Sequence, residues 1–253
     1  MDASLIDIAP DSLEREDLCC IIRKKPGHPG IESKKRWLAD RLREGHVLRK
    51  VAGEACAFIE YAPLEKAWVP VEGDGFLYIY CLWVQGEAKG RGFGRLLMES
   101  CLADARAQGR SGVCMLGAQK QKAWLSDQRF AEKFGFVPVD TTQDGYTLLA
   151  LSFDGSVPHF APSVKAGSSE QGVTVYYDDQ CPFLAQRIEK LRAYCAQNGI
   201  AANFIHVDTL ERAKTLPCVF NDHAVTIDGR LATVDQIDGA GLERLLRDAA
   251  RRA

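Results

Sequence analysis

The chain has 253 residues, of which 46% are hydrophobic and 26% charged, and its formal net charge is −2 at pH 7. This length fits one large domain or two ordinary ones, and the apolar content is sufficient for a buried core. The nearly balanced charge favours neither nucleic acid nor a membrane surface as a partner. No segment approaches the roughly 20 apolar residues of a membrane span, and the N-terminal segment lacks the features of a signal peptide. A cytoplasmic protein is therefore expected.

The nine cysteines are irregularly spaced, include the adjacent Cys19 and Cys20, and form no CxxC pair. A disulfide framework is not expected, and most of these thiols are expected to be small buried apolar groups. We predict no metal site, although His223 is close enough to Cys218 in sequence to be considered as a ligand.

The first part of the chain predicts a mixed sheet flanked by helices. The expected elements are a strand at 5–9, a helix at 31–44, a hairpin of strands 46–51 and 54–61, a strand at 76–84, a helix that begins at Phe93 and is ended by Gly109, a strand at 112–116, a helix at 124–135, and closing strands at Val137 and at 146–153. Residues 10–29 show no clear pattern.

A glycine-rich loop at residues 89–94, KGRGFG, separates the long apolar strand from the amphipathic helix that follows it. Glycines allow the main chain to approach a ligand closely, and the amides at the start of a helix favour an anion such as a phosphate. The loop lacks the Gly-Lys-Ser/Thr ending of a P-loop, and its GxGxG spacing differs from the GxGxxG of a dinucleotide site. The pattern therefore predicts a pyrophosphate site of another kind.

The loop resembles the acetyl-CoA motif of the GNAT superfamily of N-acetyltransferases, written (Arg/Gln)-x-x-Gly-x-(Gly/Ala), with Lys89, Gly92 and Gly94 at its first, fourth and sixth positions. Residues 130–136, FAEKFGF, resemble the FYEKxGF end of the fourth helix of that superfamily. The resemblance covers about the first 153 residues. It implies an α/β (α+β) GNAT acyl-CoA N-acyltransferase fold with a mixed central sheet, acyltransferase activity, and acetyl-CoA as co-substrate.

The resemblance also implies which residues bind the co-substrate. The pyrophosphate is expected on the loop and the start of the helix, at Lys89, Gly90, Arg91, Gly92, Phe93, Gly94 and Arg95. The pantetheine arm is expected where the fourth strand separates from the fifth, beside the main chain of Leu82, Trp83 and Val84. One N–H there would polarise the thioester carbonyl.

Ala131 stands where the superfamily often has a tyrosine that protonates the leaving thiolate. Alanine has no proton to donate, so another group or water would have to replace it. The sequence does not choose among four candidates, Tyr78, Tyr80, Tyr146 and Ser126.

On the acceptor side, the expected catalytic residues are Tyr78, Tyr80 and Glu60, since they lie on strands that line the acceptor site in the superfamily. Glu60 alternates with Phe58 and is expected either to point inward or to be a solvated carboxylate at a strand end. Cys81 is expected to be a packed thiol, and His46 to be structural or exposed.

Residues 155–172 are rich in glycine, serine and proline and predict a linker between a first domain at 1–154 and a second at 173–253. The second domain predicts the order βαβαββα. Its expected elements are a strand at 173–177, a helix at 182–198, a strand at 203–207, a short helix at 209–214, a hairpin that starts with strand 223–227 and turns at residues 228–229, and a helix from Gly241.

Two local marks in this second domain resemble glutaredoxins. Cys181 is followed by Pro-Phe at the start of a helix, and residues 215–220, TLPCVF, resemble a TVPxVF segment whose proline is usually cis. The resemblance implies a small thioredoxin-like domain. The combination with a GNAT domain resembles the YoaP-like group of bacterial acetyltransferases.

Cys181 is expected to have a lowered thiol pKa, because a helix N-terminus stabilises a thiolate. Leu184 occupies the position of the second cysteine of a CxxC motif, and Cys218 is expected to approach Cys181. Three uses remain open for the two thiols: a monothiol redox or glutathione-linked role, a substrate- or metal-binding pair, and a recognition module without thiol chemistry.

The sequence thus predicts a two-domain cytoplasmic N-acetyltransferase that acts on the primary amine of a small molecule or peptide. The alternative is a thiol-dependent redox or metal-thiol-binding protein that uses Cys181 and carries the GNAT domain as a CoA-binding module. A third alternative is a binding protein without catalytic activity. Nucleic acid and membrane are not expected as partners, and a homodimer is compatible with the sequence.

Overall fold

The computed structural model describes residues 3–18, 28–53, 56–120, 122, 125–220 and 222–251. These residues form two compact units. The first comprises the described residues of 1–28, 35–67 and 71–160, and the second those of 29–34, 68–70 and 161–253. In the part of the chain that is described, no helix is long and apolar enough to cross a membrane.

The first unit is built on nine strands. They are β1 (Leu5–Asp7), β2 (Val47–Val51), β3 (Ala57–Pro63), β4 (Val71–Glu72), β5 (Phe76–Val84), β6 (Gly112–Ala118), β7 (Val137–Thr141), β8 (Tyr146–Ser152) and β9 (His159–Phe160). Seven of them form one sheet in the order β1-β2-β3-β5-β6-β8-β7, and β4 pairs with β9 separately. In the large sheet β5 and β6 run parallel and the other neighbours antiparallel, so the sheet is mixed, as predicted.

Helices cover both faces of this sheet. They are α1 (Pro29–Arg43), whose first six residues belong to the second unit, α2 (Phe93–Ala107) and α3 (Gln128–Glu132). Alternate residues of a strand point to opposite faces. Accordingly, one buried cluster joins Ile59 of β3 to Leu97 of α2, and another joins Phe58 to Leu38 of α1. We call these the α2-side and α1-side clusters.

The helix expected at 124–135 is shorter than predicted. The Asp127 carboxylate accepts a hydrogen bond from the Arg129 N–H at 3.0 Å, which caps a helix that starts only at Gln128. At the other end, Gly135 has a φ of 90° and ends the segment. Residues 123–124 lie outside the described residues.

The second unit contains a four-stranded sheet in the order β11-β10-β12-β13. Its elements are α4 (Pro162–Ala166), β10 (Val173–Tyr177), α5 (Leu184–Gln197), β11 (Ala202–His206), α6 (Leu210–Lys214), β12 (His223–Ile227), β13 (Arg230–Thr233) and α7 (Gly239–Ala250). From β10 onward the order is βαβαββα, as predicted. The β12–β13 turn contains Asp228 and Gly229, both at positive φ (49° and 75°), as a tight hairpin turn requires. The thioredoxin-like nature of the unit stays a prediction.

The segment expected to be a linker contains regular structure, namely β9 and α4. Phe160 is buried and its N–H donates to the Asp140 carboxylate at 3.0 Å, while Pro162 starts α4 with the φ that a first helical turn needs. These elements have only two and five residues, which is too few for their buried positions to form a periodic pattern in the sequence.

Candidate active site

The two parallel strands of the large sheet separate towards their C-terminal ends. Pairing of β5 with β6 ends at Ile79 and Met115, although β3 follows β5 as far as Val84 and β8 follows β6 as far as Ala118. The side of β5 that faces β6 therefore has no strand partner beyond Ile79 within the described residues. The separation lies where the sequence predicted it.

The glycine loop leaves open space beside its main chain. Gly90 and Gly92 have φ values of 77° and 83°, and a Cβ built on either would meet no atom within 4 Å. These glycines are needed for the conformation, since a left-handed φ disfavours other residues, and no described residue beyond their chain neighbours fills the space next to them. The first hydrogen bond of α2 runs from the Leu96 N–H to the Gly92 carbonyl at 3.1 Å. The amides of residues 93–95 thus precede the helical ladder, an arrangement that favours an anion.

Aromatic and basic side chains surround the loop. The Arg91 guanidinium lies 4.5 Å from the centre of the Phe93 ring, and that of Arg95 lies 5.5 Å from the Phe134 ring. A Cβ on Gly94 would come 3.4 Å from the Phe130 ring, so α3 packs closely against the start of α2. The Lys89 N–H closes a turn on the Gly86 carbonyl at 3.2 Å.

Ala131 is fully buried in the α2-side cluster. Of the four groups considered as replacements for a tyrosine there, Ser126 contacts the end of β5, because its hydroxyl donates to the Leu82 carbonyl at 3.2 Å. Tyr146 is buried on β8, with the Lys122 ammonium 4.4 Å from its ring centre.

A β-bulge lies in the middle of β5. Glu60 of β3 pairs with Cys81, but the next residue, Tyr61, pairs with Ile79, so Tyr80 is an extra residue in β5. Because of this extra residue, Ile79 and Leu82 lie on the same face of the sheet although they are three positions apart. Both belong to the α2-side cluster.

The three residues predicted for the acceptor side lie close together on the other face of the sheet, with two additional side chains. The Tyr80 ring centre is 5.2 Å from that of Tyr78, 5.2 Å from that of His46 and 6.3 Å from that of Trp37. The Glu60 Oε1 lies 2.9 Å from the His46 Nε2, and these side chains are 4% and 1% exposed. We call this set (Trp37, His46, Glu60, Tyr78 and Tyr80) the aromatic–carboxylate group.

Two expectations about this group are settled by burial. Glu60 points inward, and the alternative of a solvated carboxylate is wrong. For His46, the exposed alternative is wrong, because the imidazole is buried against the carboxylate, and a structural role stays a prediction. Leu48, two residues after His46, pairs with Glu60 across the β2–β3 hairpin, so the hairpin register was the signal that could have joined them.

Cys181 of the second unit lies in the turn that precedes α5. The Leu184 N–H donates to the Cys181 carbonyl at 3.0 Å, and the Gln236 amide donates to the sulfur at 3.5 Å. Burial raises the pKa of the Cys181 thiol to about 12, and the negative charge of Asp222 adds to the rise. The predicted low pKa is wrong, because desolvation and this charge outweigh the hydrogen bonds that favour a thiolate.

Cys218 is buried, and its thiol donates to the Phe220 carbonyl at 3.4 Å. Burial raises its pKa to about 12 as well. Cys181 and Cys218 are both free thiols. Pro217 follows a trans peptide bond, since no described bond is cis, so the implied cis proline is wrong. Within the described ranges, no group of three or more His, Cys, Asp and Glu side chains is arranged to hold a metal ion.

Cys181 should react slowly with an alkylating reagent. A thiol of pKa about 12 instead of 9 has roughly a thousandfold less thiolate at neutral pH. We expect iodoacetamide at pH 7.5, followed by peptide mass spectrometry, to label Cys181 far more slowly in the native protein than in guanidinium. Equal rates in the two conditions would contradict this environment.

Asp222 and His223 are two titratable neighbours that the sequence did not single out as a pair. Burial, with the charge of Asp178 added, raises the pKa of the Asp222 carboxyl to about 8. Its Oδ1 is buried and has no hydrogen-bond partner among the residues that the structure describes. Burial lowers the pKa of His223 to about 4. Both groups are therefore uncharged through much of the range between these values.

Comparison with known proteins agrees with this architecture. Residues 12–136 match the family described as "Acetyltransferase (GNAT) family", and residues 202–244 match one described as "YoaP-like". The N-acetyltransferase YoaP of Bacillus subtilis (strain 168) is 36% identical over 248 residues, which are 97% of this chain and 99% of that protein. The chain belongs to the GNAT acetyltransferase family. The glycine loop lies within the GNAT range, and Cys218 and Asp222 lie within the YoaP-like range.

Solved structures of GNAT proteins are similar to part of this chain. A GNAT acetyltransferase of Brucella melitensis, in complex with acetyl-CoA, covers 62% of this chain and 92% of its own, with 17% identity and a TM-score of 0.39. The PaiA N-acetyltransferase of Thermoplasma acidophilum, in complex with coenzyme A, covers 60% of this chain and 100% of its own, with 14% identity and a TM-score of 0.42.

Proposed function

We propose that this protein transfers the acetyl group of acetyl-CoA to a primary amine of a small molecule or peptide by direct attack. The observation that supports the proposal is that the C-terminal end of β5 leads almost directly into the glycine loop. The edge of β5 that has no strand partner among the described residues runs to Val84, and only residues 85–88 separate it from the glycine loop. A ligand with an extended amide arm and a pyrophosphate fits these features in succession.

The residues fit acetyl-CoA in three ways. The pyrophosphate would accept hydrogen bonds from the loop and helix amides, over Lys89, Gly90, Arg91, Gly92, Phe93, Gly94 and Arg95. The amides of the pantetheine arm would pair with Leu82, Trp83 and Val84 along the edge that β6 leaves unpaired, as a peptide adds to a sheet edge. One of these N–H groups would stabilise the oxyanion that forms when the amine attacks the thioester.

The acceptor would approach from the side of the aromatic–carboxylate group, with Tyr78, Tyr80 and Glu60 as its catalytic residues. An ammonium must lose a proton before its nitrogen can attack. The thiolate that leaves would take a proton from water or through the Ser126 hydroxyl; the hydrogen bond that this hydroxyl donates to the Leu82 carbonyl at 3.2 Å supports the second choice. The complexes of the Brucella and Thermoplasma proteins with acetyl-CoA and coenzyme A support this choice of co-substrate.

The proposal is tested by calorimetric titration with acetyl-CoA, followed by a thiol-release assay with a panel of primary amines: lysine, spermidine, phenethylamine and a tripeptide with a free N-terminus. Saturable binding and CoA release that depends on one of the amines would support it. Absence of acetyl-CoA binding would overturn it.

The thiol-dependent alternative is not favoured, since a Cys181 thiol of pKa about 12 is a poor nucleophile at neutral pH. We expect Cys181→Ser to retain acetyl-CoA affinity and to lose only a small part of the amine-dependent CoA release. Complete loss of that release, with affinity retained, would place the thiol in the reaction.

A further inference from the structure

We propose that His46 is the group that takes the proton from the acceptor amine, and that Glu60 is its positioning residue. This inference rests on the proposed function and assigns one step of it. The contact that carries it is the 2.9 Å distance between the Glu60 Oε1 and the His46 Nε2, both on buried side chains. Glu60 was expected to be catalytic together with Tyr78 and Tyr80, whereas His46 was expected to be structural or exposed.

A buried carboxylate beside a neutral imidazole fixes the tautomer of the imidazole. The Nε2 carries a proton and donates it to Glu60, which leaves the Nδ1 as the basic nitrogen; this assignment follows from the contact, because hydrogen positions are inferred from partners. A lone buried negative charge is costly. When the Nδ1 takes up a proton, the pair becomes an imidazolium–carboxylate ion pair with no net charge, so the carboxylate favours protonation of His46 in the manner of a catalytic triad.

Aromatic rings pack around this pair. Trp37 packs edge-on against His46, with ring centres 5.2 Å apart, and Tyr80 lies at the same distance from the imidazole. Tyr80 is only partly buried, unlike Tyr78, and it is the bulged residue next to the point where β5 leaves β6. Ring faces attract an ammonium while stripping it of water. Tyr80 is therefore the ring of this group that an amine would meet first, and its side chain would have to move to expose the His46 Nδ1, which is buried.

The neighbouring elements carry several titratable or charged side chains. Within the described residues of the first unit these are Tyr78, Tyr80 and Cys81 on β5, Arg49 and Lys50 on β2, and Lys35, Arg36, Asp40, Arg41 and Arg43 on α1. Arg49 is directed towards α2, where its guanidinium pairs with the Asp104 carboxylate at 3.0 Å. The Lys50 ammonium binds the Glu16 carboxylate at 2.9 Å, and the Arg41 guanidinium binds that of Glu44 at 3.1 Å. Glu60 is thus the carboxylate that bonds the imidazole and sets how readily it is protonated.

An N–H bond of the ammonium breaks and its proton passes to the His46 Nδ1, directly or through one water. The freed nitrogen lone pair forms the bond to the thioester carbon, and the C–S bond breaks as CoA leaves as a thiolate. The second proton lost by the nitrogen reaches that thiolate through solvent, and the imidazolium returns its proton to solvent after product release.

The test compares His46→Gln, Glu60→Gln and a matched control, His159→Gln, whose imidazole is 56% exposed and pairs with Glu72 at 3.2 Å. The substrates are acetyl-CoA and the amine of the panel above that gives the fastest CoA release. We expect His46→Gln to lower kcat/KM by about 10²- to 10³-fold, the usual range for loss of a general base. Its acetyl-CoA affinity and that of the control should equal wild type.

Glu60→Gln distinguishes proton transfer from a structural role, because an amide oxygen still accepts the Nε2 hydrogen bond but carries no charge. We expect kcat/KM to fall and the acidic limb of its pH profile to move to lower pH, since the imidazolium loses its counter-ion. An unshifted limb, or full activity in folded His46→Gln, would overturn the inference while leaving the acetyltransferase intact. Failure of wild type to bind acetyl-CoA or to acetylate any amine of the panel would instead count against the proposed function.

Discussion

Gly92→Glu should abolish saturable binding of acetyl-CoA. Gly92 has a φ of 83° and caps the N-terminus of α2, with open space where its side chain would be. A glutamate there would place its chain in the volume assigned to the pyrophosphate and a negative charge beside the amides that would bind it. We expect the Kd measured by calorimetry to rise at least about 100-fold, or about 2.7 kcal/mol.

The control for this variant is Gly145→Glu. Gly145 lies in the turn between β7 and β8, has a φ of 79°, and would likewise meet no atom within 4 Å with a Cβ. The two substitutions introduce the same charge and a similar left-handed strain of about 1 kcal/mol. Gly145→Glu should therefore bind acetyl-CoA as wild type does. Retained affinity in Gly92→Glu would show that the loop does not hold the pyrophosphate.

Asp222→Asn should stabilise the protein, and the gain should increase with pH. Burial raises the pKa of Asp222 to about 8 from an ordinary value of 3.8, so the folded state holds a proton that the unfolded state has released. The protonated Asp222 therefore contributes its full stabilisation of the folded state below its ordinary pKa of 3.8, and this stabilisation is lost as the pH rises towards 8. Asparagine cannot ionise, so its folded form does not incur this loss.

The stability of Asp222→Asn is best compared with that of the wild type above about pH 6.5. Below it, His223 acts with the opposite sign, because its pKa is lowered to about 4 and stability from its neutral form is lost as pH falls. Between about pH 6.5 and 8 we expect the stabilisation by Asp222→Asn to grow by about 1.5 kcal/mol, measured as the free energy of unfolding in urea.

Asp228→Asn is a suitable control, because Asp228 is an exposed residue in the β12–β13 turn, where asparagine also adopts a positive φ. Its effect on stability should not change over the same pH window. A gain for Asp222→Asn that stays constant with pH would mean that the Asp222 carboxyl is already ionised in the folded protein at pH 6.5.

The parts of the fold that the sequence predicted well depend on local chemistry. The β5 strand has the predicted bounds, because its nine residues are all apolar or aromatic and fit both faces of a central strand. The glycine loop was found because a positive φ at Gly90 and Gly92 demands a residue without a side chain. The Asp228–Gly229 turn follows from the same restriction.

The parts that could not be predicted depend on contacts between distant segments. His46 meets Glu60 through the register of a hairpin, which alternation alone does not fix. The pKa of Cys181 reflects desolvation and the charge of Asp222, a residue 41 positions away in the sequence. A helix N-terminus by itself lowers the pKa of a thiol, and these two effects act in the opposite direction. The predicted lowering of the Cys181 pKa was therefore wrong.

The bulge at Tyr80 determines where β5 can change in length. Strand side chains alternate with a period of two, and the bulge absorbs one extra residue, so Ile79 and Leu82 lie on the same face although they are three positions apart. Deleting Tyr80 would restore regular alternation and would leave Leu82 in the α2-side cluster and Trp83 in its α1-side contacts. A relative that lacks one residue of this strand should therefore carry the gap at the bulge, because a gap elsewhere in residues 76–84 would exchange the faces of the side chains between the gap and the bulge.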